Sequence, residues 1–228
     1  MPHYRLHRDL RSSHQQISRR VRVLGMGPVL DVGAAQGMLG QLLTGSGIAI
    51  DAVEPNPQWA DACRPNYRNV IVGTIEAAPV PDAKYRVIVC ADVLEHTADP
   101  VGVLKKIRPV AADGAVYLIS VPNVAHLAVR AMLLVGRFPK MERGILDKTH
   151  LQFFTRDTAR QMLQSAGLRV RRVSATGVPL DEVFKTETEG LLQRFLTRCQ
   201  HIAISILPRL FAMQFIFEAE HADASPSE

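Results

Sequence analysis

Residues 28–40, with the sequence PVLDVGAAQGMLG, join a short apolar run to a turn with two glycines and then to a second apolar pattern. Val29, Leu30 and Val32 favour a buried strand, while Met38 and Leu39 begin a series of apolar residues at helical spacing. Glycine lacks a Cβ atom, so a glycine turn lets backbone N–H groups come close to a ligand. The stretch therefore predicts a strand, a ligand-binding turn and a helix, around which the rest of the chain is arranged.

The bulk properties of the chain favour one globular domain in a reducing compartment. The 228 residues are 47% hydrophobic, which is enough for one substantial core. The formal charge of +5 comes from scattered arginines rather than a dense basic run, which argues against nucleic-acid binding. Three widely separated cysteines indicate neither a disulfide framework nor a zinc site, and no metal site is predicted. The N-terminal residues do not resemble a secretory signal, and charges interrupt every apolar window of about 18 residues, so we expect a cytoplasmic protein without a spanning helix.

Further apolar runs predict strands that alternate with helices, and they cover residues 48–53, 69–73, 85–92 and 115–121. Together with the first strand they imply a doubly wound, parallel α/β sheet with helices on both faces. Polar residues follow three of these strands, at Glu54, at 74–76 and at Asp92, and should meet at the carboxyl edge where such sheets bind ligands. Glu54 lies about 20 residues beyond the glycine turn, the distance at which nucleotide-binding folds place a ribose-binding carboxylate. The alternative is that Glu54 only caps the helix that begins near Pro57.

The second half of the chain contains two apolar segments that do not fit the alternation of strands and helices. Residues 124–135 form a predicted helix with little polar surface, and residues 180–207 form a mostly helical insert with several arginines. Such segments can pack on the sheet edge, form a lid over a substrate or contact lipid. Alternating patterns at 168–173 and 211–217 predict two closing strands. We therefore expect one domain over residues 1–217, with lid segments at 124–150 and 180–207, and a disordered tail at 218–228.

Three motifs together resemble those of class I S-adenosylmethionine-dependent methyltransferases. They are the turn at 31–37, the acidic Glu54 after the second strand, and the segment 92–96 (DVLEH) after the fourth. The closing strand pair is similar to the antiparallel hairpin that ends the sheet in this family. The resemblance covers nearly the whole chain and implies a Rossmann-like, seven-stranded sheet, mostly parallel with an antiparallel last strand. It also implies S-adenosylmethionine as the cofactor.

The resemblance assigns roles to residues along the carboxyl edge of the sheet. It places the turn around the methionine part of the cofactor, Glu54 on the ribose, the residues after Glu54 and after the third strand near the adenine, and Asp92 with Val93 beneath the sulfonium. The residues so assigned are Asp31, Gly33, Ala34, Ala35, Gly37, Glu54, Pro55, Asn56, Thr74, Ile75, Glu76, Asp92 and Val93. Ala35 departs from the family pattern, which commonly has glycine there. Its methyl group would crowd a dinucleotide pyrophosphate more than the methionine portion of S-adenosylmethionine, which favours a methyl donor over a nicotinamide cofactor.

Methyl transfer from a positive sulfur mainly requires an aligned acceptor and removal of its proton. His96 and His150 are the candidate bases, because histidine titrates near neutrality and both match the region where the family's acceptor pocket opens. The alternatives are a structural hydrogen bond for His96 and a loop anchor for His150, with Asp147 paired to it. The segment 144–155 resembles one found in bacterial small-molecule methyltransferases.

We therefore expect a methyltransferase that modifies an oxygen, or a nitrogen, of a small molecule, sugar or lipid-linked acceptor. A ubiquinone-type O-methyltransferase is a narrower form of this prediction. A nicotinamide-dependent oxidoreductase and a non-catalytic binding protein with the same fold are the alternatives. Peripheral membrane contact and a homodimer are left open as ways to cover the apolar segments.

Overall fold

The computed structural model describes residues 12–77, 83–180 and 190–222. The α-helices within these ranges are α1 (Ser13–Leu24), α2 (Met38–Leu43), α3 (Pro57–Cys63), α4 (Pro100–Ile107), α5 (Leu127–Leu134), α6 (Arg156–Ser165), α7 (Leu191–Ile206) and α8 (Pro208–Phe211). The strands are β1 (Val29–Val32), β2 (Ile50–Glu54), β3 (Asn69–Val72), β4 (Tyr85–Ala91), β5 (Ala111–Pro122), β6 (Leu168–Thr176) and β7 (Gln214–His221). Leu94–His96 forms a single 3-10 turn between β4 and α4.

All seven strands join in one sheet with the order β3-β2-β1-β4-β5-β7-β6. The pairs from β3 through β5 are parallel, whereas β7 runs antiparallel to both β5 and β6. The order reverses at β1, so the carboxyl ends of β1 and β4 diverge towards helices on opposite faces and leave a crevice between them. The predicted seven-stranded, mostly parallel sheet with an antiparallel last strand is confirmed.

The two faces of the sheet are covered by different helices, because the central strands are apolar on both sides. On one face, α1 and α2 contribute Ile17, Val21, Leu39 and Leu43 to a buried cluster. On the other, α4 and α6 contribute Val103, Leu104, Ile107, Ala159, Met162 and Leu163. Helix α1, which precedes the first strand, contacts α2 and the strands β4 and β7.

The closing strand differs from its prediction at both ends. Pro208 starts the short helix α8, which takes up Phe211, so β7 begins at Gln214 rather than at 211. At the other end β7 continues to His221, and the predicted tail is wrong for residues 218–221. The two glutamates read as part of an acidic tail are held by arginines, with Arg20 on Glu218 at 2.5 Å and Arg169 on Glu220 at 2.5 Å. Residues 223–228 lie outside the described part of the chain.

The first lid segment is only partly helical. Asn123 accepts the N–H of Ala125 and His126 accepts the N–H of Ala128, so turn geometry delays α5 until Leu127. Of the second segment, α7 is described and residues 181–189 lie outside the described ranges. In the three described ranges, no helix combines the length and apolarity needed to cross a membrane.

Candidate functional site

The turn between β1 and α2 can be made only with glycine at its first position. Gly33 has a φ of 70°, and a Cβ atom there would lie 2.6 Å from Cγ2 of Val93. Val93 follows β4, so the close approach joins the carboxyl ends of the two central strands. Gly37, with a φ of 79°, is the N-cap residue of α2. Both glycines predicted for the cofactor site therefore shape the crevice at the point where the strand order reverses.

Ala35 takes a conformation that normally favours glycine, with a φ of 48°. Two contacts hold it there. Its N–H donates to Oε2 of Glu54 at 2.7 Å, and its carbonyl accepts the Cys63 thiol at 3.1 Å. Strained backbone of this kind persists only when its surroundings hold it in place. The residue that breaks the family's glycine pattern is thus tied directly to the predicted ribose ligand.

Glu54 ends β2 and is 2% exposed. Its other oxygen accepts the N–H of Asn56 at 2.9 Å. Burial raises the pKa of Glu54, and the hydrogen bonds from Asn56 and Ala35 oppose that rise. The cap of α3 is the side chain of Asn56, which accepts the N–H groups of Gln58 and Trp59. The alternative that Glu54 is merely a helix cap is therefore wrong, because Asn56 occupies that position.

Asp31 in β1 is 3% exposed and depends on a residue far along the chain. The Tyr67 hydroxyl donates to Oδ2 of Asp31 at 2.6 Å and accepts the N–H of Gly40 at 3.0 Å. Tyr67 can reach this position only because residue 40 has no side chain: a Cβ there would lie 2.3 Å from the ring. Burial raises the pKa of Asp31 to about 7, the Tyr67 hydrogen bond opposes the rise, and the charge of Glu54 adds to it.

The residues predicted near the adenine lie beyond the ends of β2 and β3. Pro55, Thr74 and Glu76 are exposed, whereas Ile75 is buried against the core. The chain that follows, residues 78–82, is outside the described ranges. The structure thus places these predicted residues at the expected edge of the sheet.

Asp92 follows β4 with a φ of 56°, unusual for a residue other than glycine. Its two oxygens are fixed by different strands. Ser120 of β5 donates to Oδ1 at 2.8 Å, and the side chain of Gln214 in β7 donates to Oδ2 at 2.8 Å. The antiparallel strand β7 therefore helps to aim the carboxylate that was predicted to lie beneath the sulfonium.

The two histidines predicted as bases come together although they are 54 positions apart in the chain. Their ring centroids are 4.8 Å apart in an edge-on arrangement. Burial and the neighbouring His96 lower the pKa of His150, while the carbonyl of Ile145, Asp147 and Asp92 oppose that change. His150 is therefore neutral at pH 7. Asp147 affects it by charge, because the hydrogen bonds to Oδ1 of Asp147 come from the N–H and hydroxyl of Thr149.

The charges of the crevice fit S-adenosylmethionine better than a dinucleotide. Asp31 and Glu54 are both buried, and no positive side chain contributes to the pKa of either in the described structure. S-adenosylmethionine carries an ammonium, a sulfonium and a carboxylate and so has a net positive charge, whereas a pyrophosphate would add only negative charge beside Asp31 and Glu54. The residues present therefore suit the cofactor that the sequence motifs imply.

Sequence reasoning missed four side chains that shape this region: Tyr67, Glu95, Ser120 and Gln214. One signal was available for Tyr67, because an isolated glycine in a helical pattern, here Gly40, often marks a close approach by another residue. Ser120 and Gln214 act through contacts between strands that are remote in sequence, and no local pattern reports such contacts.

Comparisons with known proteins agree with the observed fold. Residues 3–173 match the methyltransferase domain family. The ubiquinone biosynthesis O-methyltransferase of Aeromonas salmonicida is 26% identical over 169 residues, which is 69% of each chain. A methyltransferase structure from Archaeoglobus fulgidus is 17% identical, with a TM-score of 0.60 and coverage of 92% of this chain and 95% of that one. The magnesium protoporphyrin IX methyltransferase of Synechocystis, solved with bound SAH, is 15% identical, with a TM-score of 0.60 and coverage of 96% and 89%.

Proposed function

Since the chain belongs to the methyltransferase domain family and is an S-adenosylmethionine-dependent methyltransferase, we propose that it methylates an oxygen of a small molecule, sugar or lipid-linked acceptor. The observation that carries this proposal is the pair formed by His96 and His150 beside Asp92 at the carboxyl edge of the sheet. The name of the Aeromonas relative supports oxygen as the acceptor atom. A ubiquinone-type O-methyltransferase is the narrower form of the same proposal.

In the cofactor half, the buried carboxylates bind the positive and hydroxyl groups of the ligand. Asp31 and the turn of Gly33, Ala34, Ala35 and Gly37 hold the methionine part. Glu54 keeps two unused lone-pair positions after its bonds to Ala35 and Asn56, and these accept the ribose hydroxyls. Because Glu54 is almost fully covered in this structure, the Ala35 turn must shift for the ribose to reach it. Pro55, Asn56, Thr74, Ile75 and Glu76 border the adenine.

In the acceptor half, Asp92 and Val93 form the floor and the histidines prepare the acceptor. S-adenosylmethionine supplies an electrophilic methyl group on a positive sulfur. The protein therefore needs to align an acceptor oxygen and lower the cost of removing its proton. His150 is neutral at pH 7 and so has a lone pair available for this purpose, and Asp147 orders the loop that carries it. That lone pair can take the proton directly, or it can bind an ion that acidifies the acceptor.

Calorimetric titration with S-adenosylmethionine tests the cofactor half. Glu54→Gln removes the charge and keeps one oxygen, which can accept one of the two backbone N–H groups that Glu54 accepts. We expect at least tenfold weaker binding, since hydrogen bonds to a charged group contribute about 1.5–3 kcal/mol. The exposed Asp113→Asn is the matched control and should bind like the parent. Parental affinity in Glu54→Gln would remove Glu54 from the cofactor site.

An assay of S-adenosylhomocysteine release tests the acceptor half. Hydroxylated aromatic compounds with and without a prenyl chain, sugars and amines should be compared at equal concentrations. We expect turnover with hydroxyl acceptors and none with amines, and faster turnover with a prenyl chain would support the ubiquinone-type form. Turnover with amines alone would contradict oxygen methylation.

The lid segments support an apolar acceptor and contact with a membrane surface. Helix α7 exposes Leu191, Phe195, Ile202 and Ile206 on one stripe, with Phe195 62% exposed. Leu134 at the end of α5 is 88% exposed. An amphipathic helix of this kind that also carries arginines is typical of binding to anionic lipid surfaces. A second copy of the chain could cover the same apolar stripe.

Sedimentation with vesicles that contain phosphatidylserine distinguishes a membrane surface from a second copy of the chain as the partner of this apolar stripe. Phe195→Glu should reduce the bound fraction several-fold, whereas Val23→Glu, at an exposed apolar residue on α1, should leave it unchanged. A dimer in ultracentrifugation that Phe195→Glu dissociates, without vesicle binding by the parent, would assign the stripe to a second copy instead.

A further inference from the structure

Three side chains that can bind metals meet beside the crevice. Glu95 and His96 lie on the 3-10 turn after β4, and His150 lies in the connection between α5 and α6. One potential ligand atom from each side chain lies within 4.8 Å of the other two. The N–H groups of Leu151 and Gln152 donate to the carbonyl of Glu95 at 2.8 and 3.0 Å. Backbone hydrogen bonds therefore hold the two segments together independently of the side chains.

Both imidazoles have one nitrogen occupied and the other available. Nδ1 of His150 lies 3.0 Å from the carbonyl of Ile145, and Nδ1 of His96 lies 3.3 Å from the carbonyl of Thr149. A carbonyl can only accept, so each Nδ1 carries a proton, which leaves Nε2 of each ring as the nitrogen that can bind a metal. The Thr149 hydroxyl donates to Asp147, so it too can only accept from His96. Histidines that bind metals through Nε2 are commonly fixed by a backbone carbonyl on Nδ1 in this way.

Glu95 is the least satisfied acid of the described residues. It is 1% exposed, and neither carboxylate oxygen has a hydrogen-bond partner within the described part of the chain. The charged groups that act on Glu95, namely Asp92 and Asp147, are both negative. A buried carboxyl group without a partner is costly and calls for a ligand that would bind it. Because the nearby charges are negative, that ligand should be a cation.

We propose that Glu95, His96 and His150 bind a divalent first-row transition metal ion, for which Zn²⁺ is the best match. Two imidazoles and one carboxylate are a common ligand set for Zn²⁺ sites that keep a further position open, whereas Mg²⁺ and Ca²⁺ prefer oxygen ligands. Tetrahedral Zn²⁺ needs its ligand atoms about 3.3 Å apart, so the cluster must close by about 1.5 Å at its widest pair. His96 is exposed on the surface, which gives an ion an entry route to the site.

The role of the ion rests on the function proposed above. At this site the ion would bind the acceptor hydroxyl at its remaining coordination position and make the hydroxyl more acidic. The acceptor proton then leaves to solvent and the oxygen forms a bond to the methyl carbon. The carbon–sulfur bond breaks with its electron pair remaining on the sulfur. In this form of the mechanism both histidines act as ligands and neither removes the proton itself.

Metal titration without any acceptor tests the site separately from the reaction. The protein should be stripped with a chelator, in a Cys199→Ser background that removes the exposed thiol, and titrated with Co²⁺ while the visible absorption is followed. Zn²⁺ should then displace Co²⁺. We expect one equivalent to bind and at least tenfold weaker binding in Glu95→Gln and His150→Ala. His126→Ala, a histidine outside the cluster, is the control and should bind like the parent.

Some of these variants could differ from the parent in stability. Thermal unfolding with and without Zn²⁺ tests metal binding in that case too, because each variant is compared with itself. Zn²⁺ should raise the Tm of the parent and of His126→Ala but not that of Glu95→Gln. Failure of the parent to bind an equivalent of either ion, or parental affinity in both cluster variants, would overturn the site. Metal binding in a protein that methylates no oxygen acceptor would leave the site standing and reject the proposed function. Full methyl transfer by the stripped enzyme would reject the role of the ion.

Discussion

The buried carboxyl group of Asp31 should make the stability of the protein depend on pH in a predictable direction. Burial raises its pKa from an ordinary value of 3.8 to about 7 in the folded protein. Between those two values the folded state binds a proton that the unfolded state has lost, so stability falls as the pH rises and levels off above about pH 7. The full loss is about 4 kcal/mol, and about half of it, about 2 kcal/mol, falls between pH 5.5 and 8.

Asp31→Asn isolates this effect, because the amide oxygen can still accept the Tyr67 hydroxyl while the charge is gone. Urea unfolding of parent and variant should be measured from pH 5.5 to 8. The difference in unfolding free energy should shift by about 2 kcal/mol in favour of the variant as the pH rises. Asp113→Asn, at an exposed aspartate, should show no such shift. A difference between parent and Asp31→Asn that stays constant to within about 0.5 kcal/mol over this range would refute the reasoning.

Two further predictions concern the crevice. Gly33→Ala should lower the unfolding free energy by about 2–4 kcal/mol in urea titrations, because it combines an unfavourable φ with a clash against Val93. Gly45→Ala, which has a φ of 74° but open space around it, should cost only about 1–2 kcal/mol, and equal losses would contradict the clash. Gln214→Leu should lower kcat/KM for S-adenosylmethionine about tenfold, because Asp92 loses one of the bonds that aim it. Unchanged kinetics in a folded Gln214→Leu protein would remove Asp92 from the floor of the site.

The sequence was sufficient to predict the sheet and the edge at which the site lies. Continuous apolar runs and the glycine turn are local signals, and β1, β4 and β5 follow from them directly. The ends of β7 were not predictable in this way. Pro208 starts a helical turn that delays the strand, and Glu218 joins the sheet because Arg20, 198 positions away, pairs with it. A local sequence pattern carries no information about contacts between residues so far apart in the chain.

The sequence singled out some residues of the candidate site and missed others. His96 and His150 were singled out by residue type, and the structure places their rings in contact. Glu95 was recognised only as part of the motif at 92–96 and was assigned no role of its own. In the structure the 3-10 turn points it inwards, so that its neighbour His96 is exposed while the acid is buried. The direction of a side chain in a single turn depends on tertiary packing, which the sequence alone does not report.

The approach of Tyr67 to Gly40 limits how this protein can be engineered for heat resistance. Replacing a helical glycine with alanine is a common stabilising change, with about 1 kcal/mol to gain. In α2 the change Gly40→Ala should not be stabilising. The added methyl group would displace the Tyr67 ring and leave Asp31 without its hydroxyl partner. Residues 40 and 67 should therefore be changed together in any library, with a smaller side chain at 67 and an uncharged one at 31.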